Sequence, residues 1–163
     1  MLIGVVSDTH NRVEHVKKII NLFNSYELAL VIHTGDITSA KTLDLFSELN
    51  CPLKGVYGNN DINEAGLEDT SKKNGFDFRF PPHVFSLEGR KIAIFHEPDK
   101  IESFLIEEKG IDLTLHGHTH RYRNEKILGS LVFNPGESAG MFEGKNAIGL
   151  VNLKDLNAKR IFF

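Results

Sequence analysis

The chain has 163 residues, of which 40% are hydrophobic and 25% charged, a balance that excludes a disordered or low-complexity protein and suits one buried core. Nineteen basic against 22 acidic side chains leave a net charge of −3, which offers no strong footprint for nucleic acid or an anionic membrane. The single cysteine, Cys51, excludes an intrachain disulfide and reads most simply as a small buried hydrophobe before Pro52.

The first apolar run, Leu2 to Val6, is only strand length and has no basic residues before it, so a signal peptide is not expected. No segment approaches the ~18 apolar residues of a membrane span. A soluble, cytoplasmic protein is the expectation. Leu2–Val6 predicts a buried strand, and Ser7-Asp-Thr-His10 the polar turn after it. Val13, Val16, Ile19, Ile20 and Phe23 then recur at helical spacing. Leu28–Ile32 predicts a second strand, ending in His33-Thr-Gly-Asp36, and Leu43, Leu45, Phe46 and Leu49 a second helix. Leu53–Tyr57 predicts a third strand, ending in Gly58-Asn-Asn-Asp61. Strands and helices alternating at this spacing predict a parallel α/β sheet.

Residues 62–82, punctuated by Gly66, Gly75 and Pro81-Pro82, predict no element beyond a turn at 72–75. Val84–Leu87 and Lys91–Phe95 flank Glu88-Gly-Arg90 and predict a hairpin whose second strand runs into His96. Residues 99–109 predict a helix stopped at Gly110. Ile111–Leu115 leads into Gly117-His-Thr-His120. After it the pattern is all β, over 123–128, 131–133, 146–153 and 158–163, with turns at Gly129, Pro135-Gly136 and Gly144. Without repeat or linker, one domain spanning 1–163 is expected.

Five apolar runs thus end, in order, at Asp8-Thr-His10, Gly35-Asp36, Gly58-Asn59-Asn60-Asp61, His96 and Gly117-His118-Thr-His120. In an open α/β sheet the carboxyl ends of strands border the ligand crevice, so side chains distant in sequence can converge there. Each member has an ordinary explanation. An Asp after a strand is usually a turn former or helix cap, and an Asn in Gly-Asn-Asn a left-handed turn residue. A lone histidine at a strand end is more often hydrogen-bonded structure. Five such coincidences in a row favour one shared cause.

The ordered set resembles the motif series of the calcineurin-like metallophosphoesterase superfamily, in particular its small bacterial and archaeal phosphodiesterase branch, with Asn134-Pro-Gly136 following the histidine cluster. The resemblance covers residues 2 to about 138. It implies a two-sheet β-sandwich flanked by helices, an α/β/β/α fold whose strand ends form a dinuclear metal cleft. It also implies a metal-dependent phosphodiesterase that hydrolyses a small phosphodiester by attack of a metal-bridging hydroxide on phosphorus. Asp8, His10, Asp36 and His120 would hold the first ion; Asp36 (bridging), Asn59, His96 and His118 would hold the second. The nitrogen and oxygen donors suit two divalent transition-metal ions, manganese first, with nickel, cobalt, iron or zinc as alternatives. Asp61 would orient a neighbour from behind the cleft.

Two positions depart from the family pattern. Asn60 stands where many members carry a histidine, and an amide donates a hydrogen bond but transfers no proton. Glu97 stands where glycine is usual; turned inward, it would disfavour a dianionic monoester more than a monoanionic diester. His33 and His116 are expected inside the fold, His15 and His83 at the surface or an edge, and Arg12, Arg121 and Arg123 beside the motifs. Two competing readings are a phosphomonoesterase and a non-catalytic protein-interaction scaffold like the retromer subunit of the same fold. Ile161-Phe-Phe163 fits either a core strand or a homo-oligomer contact.

Overall fold

Side chains alternate across a strand, so a strand that is apolar on both sides needs cover on both faces. In strand β1 (Leu2–Val6), Ile3 and Val5 enter one core and Val6 another. Strand β2 (Leu30–His33) divides in the same way, with Leu30 and Ile32 opposed to Val31. In strand β6 (Arg90–Ile94), Ile92 and Ile94 face the same inner core as Ile3 and Val5, while Ala93 faces away. Two sheets packed face to face, each with helices on its outer side, satisfy all of these faces.

The computed structural model describes residues 1–142 and 144–163 and shows that four-layer arrangement. The first sheet has six strands. β1, β2, β3 (Leu53–Val56) and β4 (Asp77–Arg79) run parallel, and β10 (Ala147–Asn152) and β11 (Asn157–Phe162) add antiparallel on the far side of β1. The second sheet has the order β5 (His83–Leu87), β6, β7 (Leu113–Leu115), β9 (Ser130–Asn134), β8 (Arg123–Ile127), with β6, β7 and β9 parallel. Helices α1 (Val13–Asn24), α2 (Ala40–Leu45) and α3 (Leu67–Lys73) cover the first sheet through Val16, Ile19, Ile20, Phe23, Leu43 and Leu67. Helix α4 (Ile101–Glu107) covers the second through Ile101 and Leu105, which pack on Ala93, Phe95 and Val132.

The α/β/β/α sandwich expected from the motif resemblance is therefore the fold. The hairpin at 88–90 and the four C-terminal strands also form. Differences are local. Residues 62–82 are not irregular; they contain α3 and β4, which were not anticipated. The second strand starts at Leu30 rather than Leu28. His83, expected at the surface or an edge, opens the edge strand β5 but faces inward and is 2% exposed; its Nδ1 lies 3.2 Å from the Gly55 carbonyl and its Nε2 3.4 Å from Asp77. Ile161 and Phe163 pack against the helix-side core, whereas Phe162 is exposed. Among the described residues, no helix is long and apolar enough to cross a membrane.

Candidate metal centre

The parallel strands of both sheets end on one edge of the sandwich. β1 delivers Asp8 and His10, β2 Asp36, β3 Asn59, β6 His96, and β7 His118 and His120. Backbone hydrogen bonds join these strand ends: Asp8 N–H donates to Gly35 O at 3.0 Å, His10 N–H to Asp36 O at 3.1 Å, and Gly117 N–H to His96 O at 3.0 Å. Asp8, His10, Asp36, His118 and His120 all have φ between 40° and 65°. Left-handed backbone is costly for residues with a Cβ and persists only where the surroundings enforce it, so this concentration marks a site rather than a generic turn.

The structure brings all seven predicted ligands together. Asp8, His10 and His120 offer ligand atoms within 4.8 Å of one another, and so do Asp8, Asp36 and His96. The Asp36 Oδ2 atom lies 3.5 Å from His10 Nε2 and 3.4 Å from His96 Nε2, between the two groups. Asn59 Oδ1 lies 2.9 Å from His96 Nε2 and 3.0 Å from His118 Nδ1, which are themselves 3.3 Å apart. Asp8 belongs to both groups, a wider reach than the sequence motif alone implies.

The cluster packs atoms able to act as acceptors against one another, an arrangement that positive charge stabilises. His96 Nδ1 is 2.9 Å from the Thr34 carbonyl, which can only accept, so this nitrogen carries the hydrogen. In the neutral ring Nε2 is then a lone pair, and it faces the oxygens of Asn59 and Asp36 and the Nδ1 of His118. Nearby, Asp8 Oδ1 and His10 Nε2, 3.9 Å apart, are buried without a hydrogen-bond partner among the described residues. A buried polar atom left unpaired is costly, and positive charge placed among these atoms removes the cost. Burial opposes charge on His96, yet Asp36 and then Asp8 push its pKa above the ordinary imidazole value. Burial also works to raise the Asp36 carboxyl, but His96 and Asn60 outweigh it and hold Asp36 below the usual carboxylate range. A carboxylate so held is ionised and suited to bridging two cations, so the residues present fit a pair of divalent ions.

A supporting layer fixes these atoms in place. The Asp61 carboxylate, 4% exposed, accepts N–H groups from Asp36, Ile37, Thr38 and Gly58 at 2.7–2.9 Å and so ties the β2 turn to the β3 turn. Asn60 Nδ2 donates to Asp36 Oδ2 at 2.7 Å and its backbone N–H to Oδ1 at 3.0 Å, so this side chain holds Asp36 rather than standing free. Asn134 Nδ2 donates to the Gly117 carbonyl at 3.0 Å and fixes the β7 turn. Gly58 and Gly117 permit close approach: an added Cβ would collide with the Asp36 carboxylate at the first and with Ser7 and Asp8 at the second.

One contributor was not anticipated from sequence. Glu137 is 1% exposed, and its Oε2 lies 3.6 Å from His120 Nδ1, turning the other ring nitrogen toward Asp8 at 3.5 Å. The N–H groups of Met141 and Phe142 fix its carboxylate at 3.0 and 2.6 Å. Its only signal in the sequence is its place immediately after Pro135-Gly136. Glu97 is exposed and lines a cavity together with Asn59 and His96. His33 and His116 are buried, as expected, and burial lowers their pKa values to about 3 and about 4. His15 is half-buried, with Nδ1 2.8 Å from the Ser138 carbonyl. Arg12 and Arg121 are exposed, and Arg123 pairs with Glu125 rather than with a motif residue.

Comparison with known families matches residues 1–156 to the calcineurin-like phosphoesterase superfamily domain. The chain belongs to that superfamily. It is 31% identical to "Phosphodiesterase MJ0936" of Methanocaldococcus jannaschii over 166 residues, covering 99% of this chain and 98% of the relative. A probable metallophosphoesterase of Methanothermobacter thermautotrophicus is 28% identical, covering 83% and 76%. A solved structure described as a novel archaeal phosphodiesterase superposes with a TM-score of 0.90 at 29% identity, covering all of both chains. Zinc-bound Vps29 of Entamoeba histolytica superposes with a TM-score of 0.70 at 17% identity over 99% of each chain, which shows a shared fold and nothing further. Superfamily membership and these relatives support phosphoesterase activity and the binding of divalent metal ions.

Proposed function

We propose that the chain is a dinuclear-metal phosphodiesterase whose one domain hydrolyses a small phosphodiester. The observation that carries this reading is the convergence of ring nitrogens and oxygens from His96, His118, Asn59, Asp36, Asp8 and His10, which a pair of cations would satisfy. Asp8, His10, Asp36 and His120 would hold one ion and Asp36, Asn59, His96 and His118 the other, with Asp36 shared. Two such ions, when bound, neutralise phosphate oxygens and supply a deprotonated water at neutral pH. Manganese is the first choice, with nickel, cobalt, iron or zinc also compatible with nitrogen and oxygen donors.

The chain's own residues decide which ester is taken. Asn60 fixes Asp36 through two hydrogen bonds and brings no transferable proton to the leaving group. Loss of a positioned general acid typically costs ~10²–10⁴ in rate, which an activated aryl leaving group does not need and an alkyl one does. Glu97, on the cavity wall beside His96, adds negative charge that a dianionic monoester meets more strongly than a monoanionic diester. Both features favour aryl diesters. The non-catalytic scaffold reading draws no support from the ligand set, since every expected position carries a side chain able to ligate.

The test is turnover of manganese-loaded protein on bis(p-nitrophenyl) phosphate against p-nitrophenyl phosphate. The diester should react faster, and Asp36→Ala should abolish metal loading and turnover together. Parental turnover by that variant, or no hydrolysis of either ester by fully loaded wild type, contradicts the proposal.

A further inference from the structure

A cavity of about 290 Å³ opens directly from the ligand cluster, sharing Gly58, Asn59 and His96 with it. Its other walls are apolar: Tyr57, Phe95, Pro81 and Pro82, with Ile62 and Phe80 at the rim. Ile62 and Phe80 are 62% and 58% exposed, a large apolar area to leave in water beside a polar cleft. Phe80 is braced by Tyr57, with ring centroids 5.4 Å apart at 51°. Among the described residues, the charged lining is Glu97, next to His96, and Asp99 against one cation, Lys100.

From this juxtaposition we infer that the cavity is a subsite for one ester arm of the substrate, and that the arm is a planar aromatic group bearing no further negative charge. The inference deepens the phosphodiesterase reading and rests on it for the placement of the phosphate. Asn59 and His96 share one cavity lining with Tyr57 and Phe80, so a phosphoester seated at those two residues has this cavity within reach of one substituent. The volume lies at the small end of the ~300–1,000 Å³ of ligand sites, enough for one ring system rather than a whole ligand. Aromatic walls favour a flat π-face, which packs against Phe80 and covers the rim. Two carboxylates against one ammonium in the lining repel an arm ending in a second phosphate or a carboxylate. An aryl or nucleoside arm without a terminal phosphate satisfies every wall; an alkyl arm leaves Phe80 wet.

The experiment is calorimetric titration of manganese-loaded protein with two slowly hydrolysed diesters of equal charge, diphenyl phosphate and dimethyl phosphate. Wild type should bind the diphenyl ester at least about tenfold more tightly. Phe80→Ala and Ile62→Ala should each remove most of that preference while leaving dimethyl phosphate affinity, metal content and the circular dichroism spectrum unchanged. Equal affinity for the two diesters, or equal weakening of both by Phe80→Ala, overturns the subsite. The two readings fail separately: ring-selective binding without turnover of any diester removes the hydrolase and keeps the subsite, whereas turnover without ring selectivity does the reverse.

Discussion

At the scale of the residue, the cluster is held by side chains that grip its carboxylates and rings. Asp61 and Asn60 grip Asp36 from two sides, and Glu137 backs His120. A carboxylate behind a ligating imidazole fixes the ring and raises its basicity, and its loss typically weakens metal binding 10–100-fold. Glu137→Gln keeps the size and one of the oxygens that Met141 and Phe142 use, but removes the charge facing His120. Manganese affinity by calorimetry should fall about 10–100-fold in that variant with an unchanged circular dichroism spectrum. A change in thermal midpoint with unchanged manganese affinity would reduce Glu137 to a loop anchor. This residue was not legible in the sequence, because it sits in an irregular segment without periodicity and its partners lie 4 and 5 residues ahead and 17 behind. That His83 on the edge strand β5 faces inward was not legible for a related reason: beside Pro81-Pro82 nothing in one sequence shows which face of this short strand turns inward.

At the scale of the element, what read clearly was the place where each strand stops. Leu2–Val6 and Leu30–Ile32 are apolar runs broken abruptly by polar residues, and Leu53–Val56, interrupted by Lys54, is followed in the same way by Gly58-Asn-Asn-Asp61; the polar residues mark both the strand end and the candidate ligand position. Helix α3 and strand β4 were not legible, because α3 buries only Leu67 and Ser71 and β4 is three residues on a sheet edge. Neither offers enough repeats for a period to show. Strand β2 also ends on a titration device. His33 is fully buried; its Nδ1 accepts the Gly35 N–H at 3.1 Å, so Nε2 carries the hydrogen toward Thr9 Oγ1, also at 3.1 Å. The neutral ring is thereby held with a pKa of about 3, mainly by burial. Because the folded pKa lies below the unfolded value of about 6.5, the unfolded chain takes up the proton first as the pH falls. Stability from His33 is complete above about pH 6.5 and declines as the pH falls toward 3, by about 2 kcal/mol at pH 5. Urea unfolding of wild type against His33→Gln, both chelated, should show wild type losing that much more between pH 7 and 5. Parallel pH profiles would show that His33 is charged in the folded chain.

At the scale of the whole molecule, two sheets supply one site. The first sheet brings Asp8, His10, Asp36 and Asn59, the second His96, His118 and His120, and the inner core of Ile3, Val5, Ile32, Ile92, Leu113 and Phe133 clamps the two edges in register. The sandwich itself was not readable from periodicity, which predicts a parallel sheet but not that a second one packs on it; the motif series supplied that step. Sharing of Asp36 between two cations is read out by electron paramagnetic resonance during manganese titration of the chelated protein. Two ions should bind per chain, and an exchange-coupled dimanganese signal should replace the isolated six-line spectrum as the second enters. Binding of a single uncoupled ion, or of none at any concentration, would contradict it.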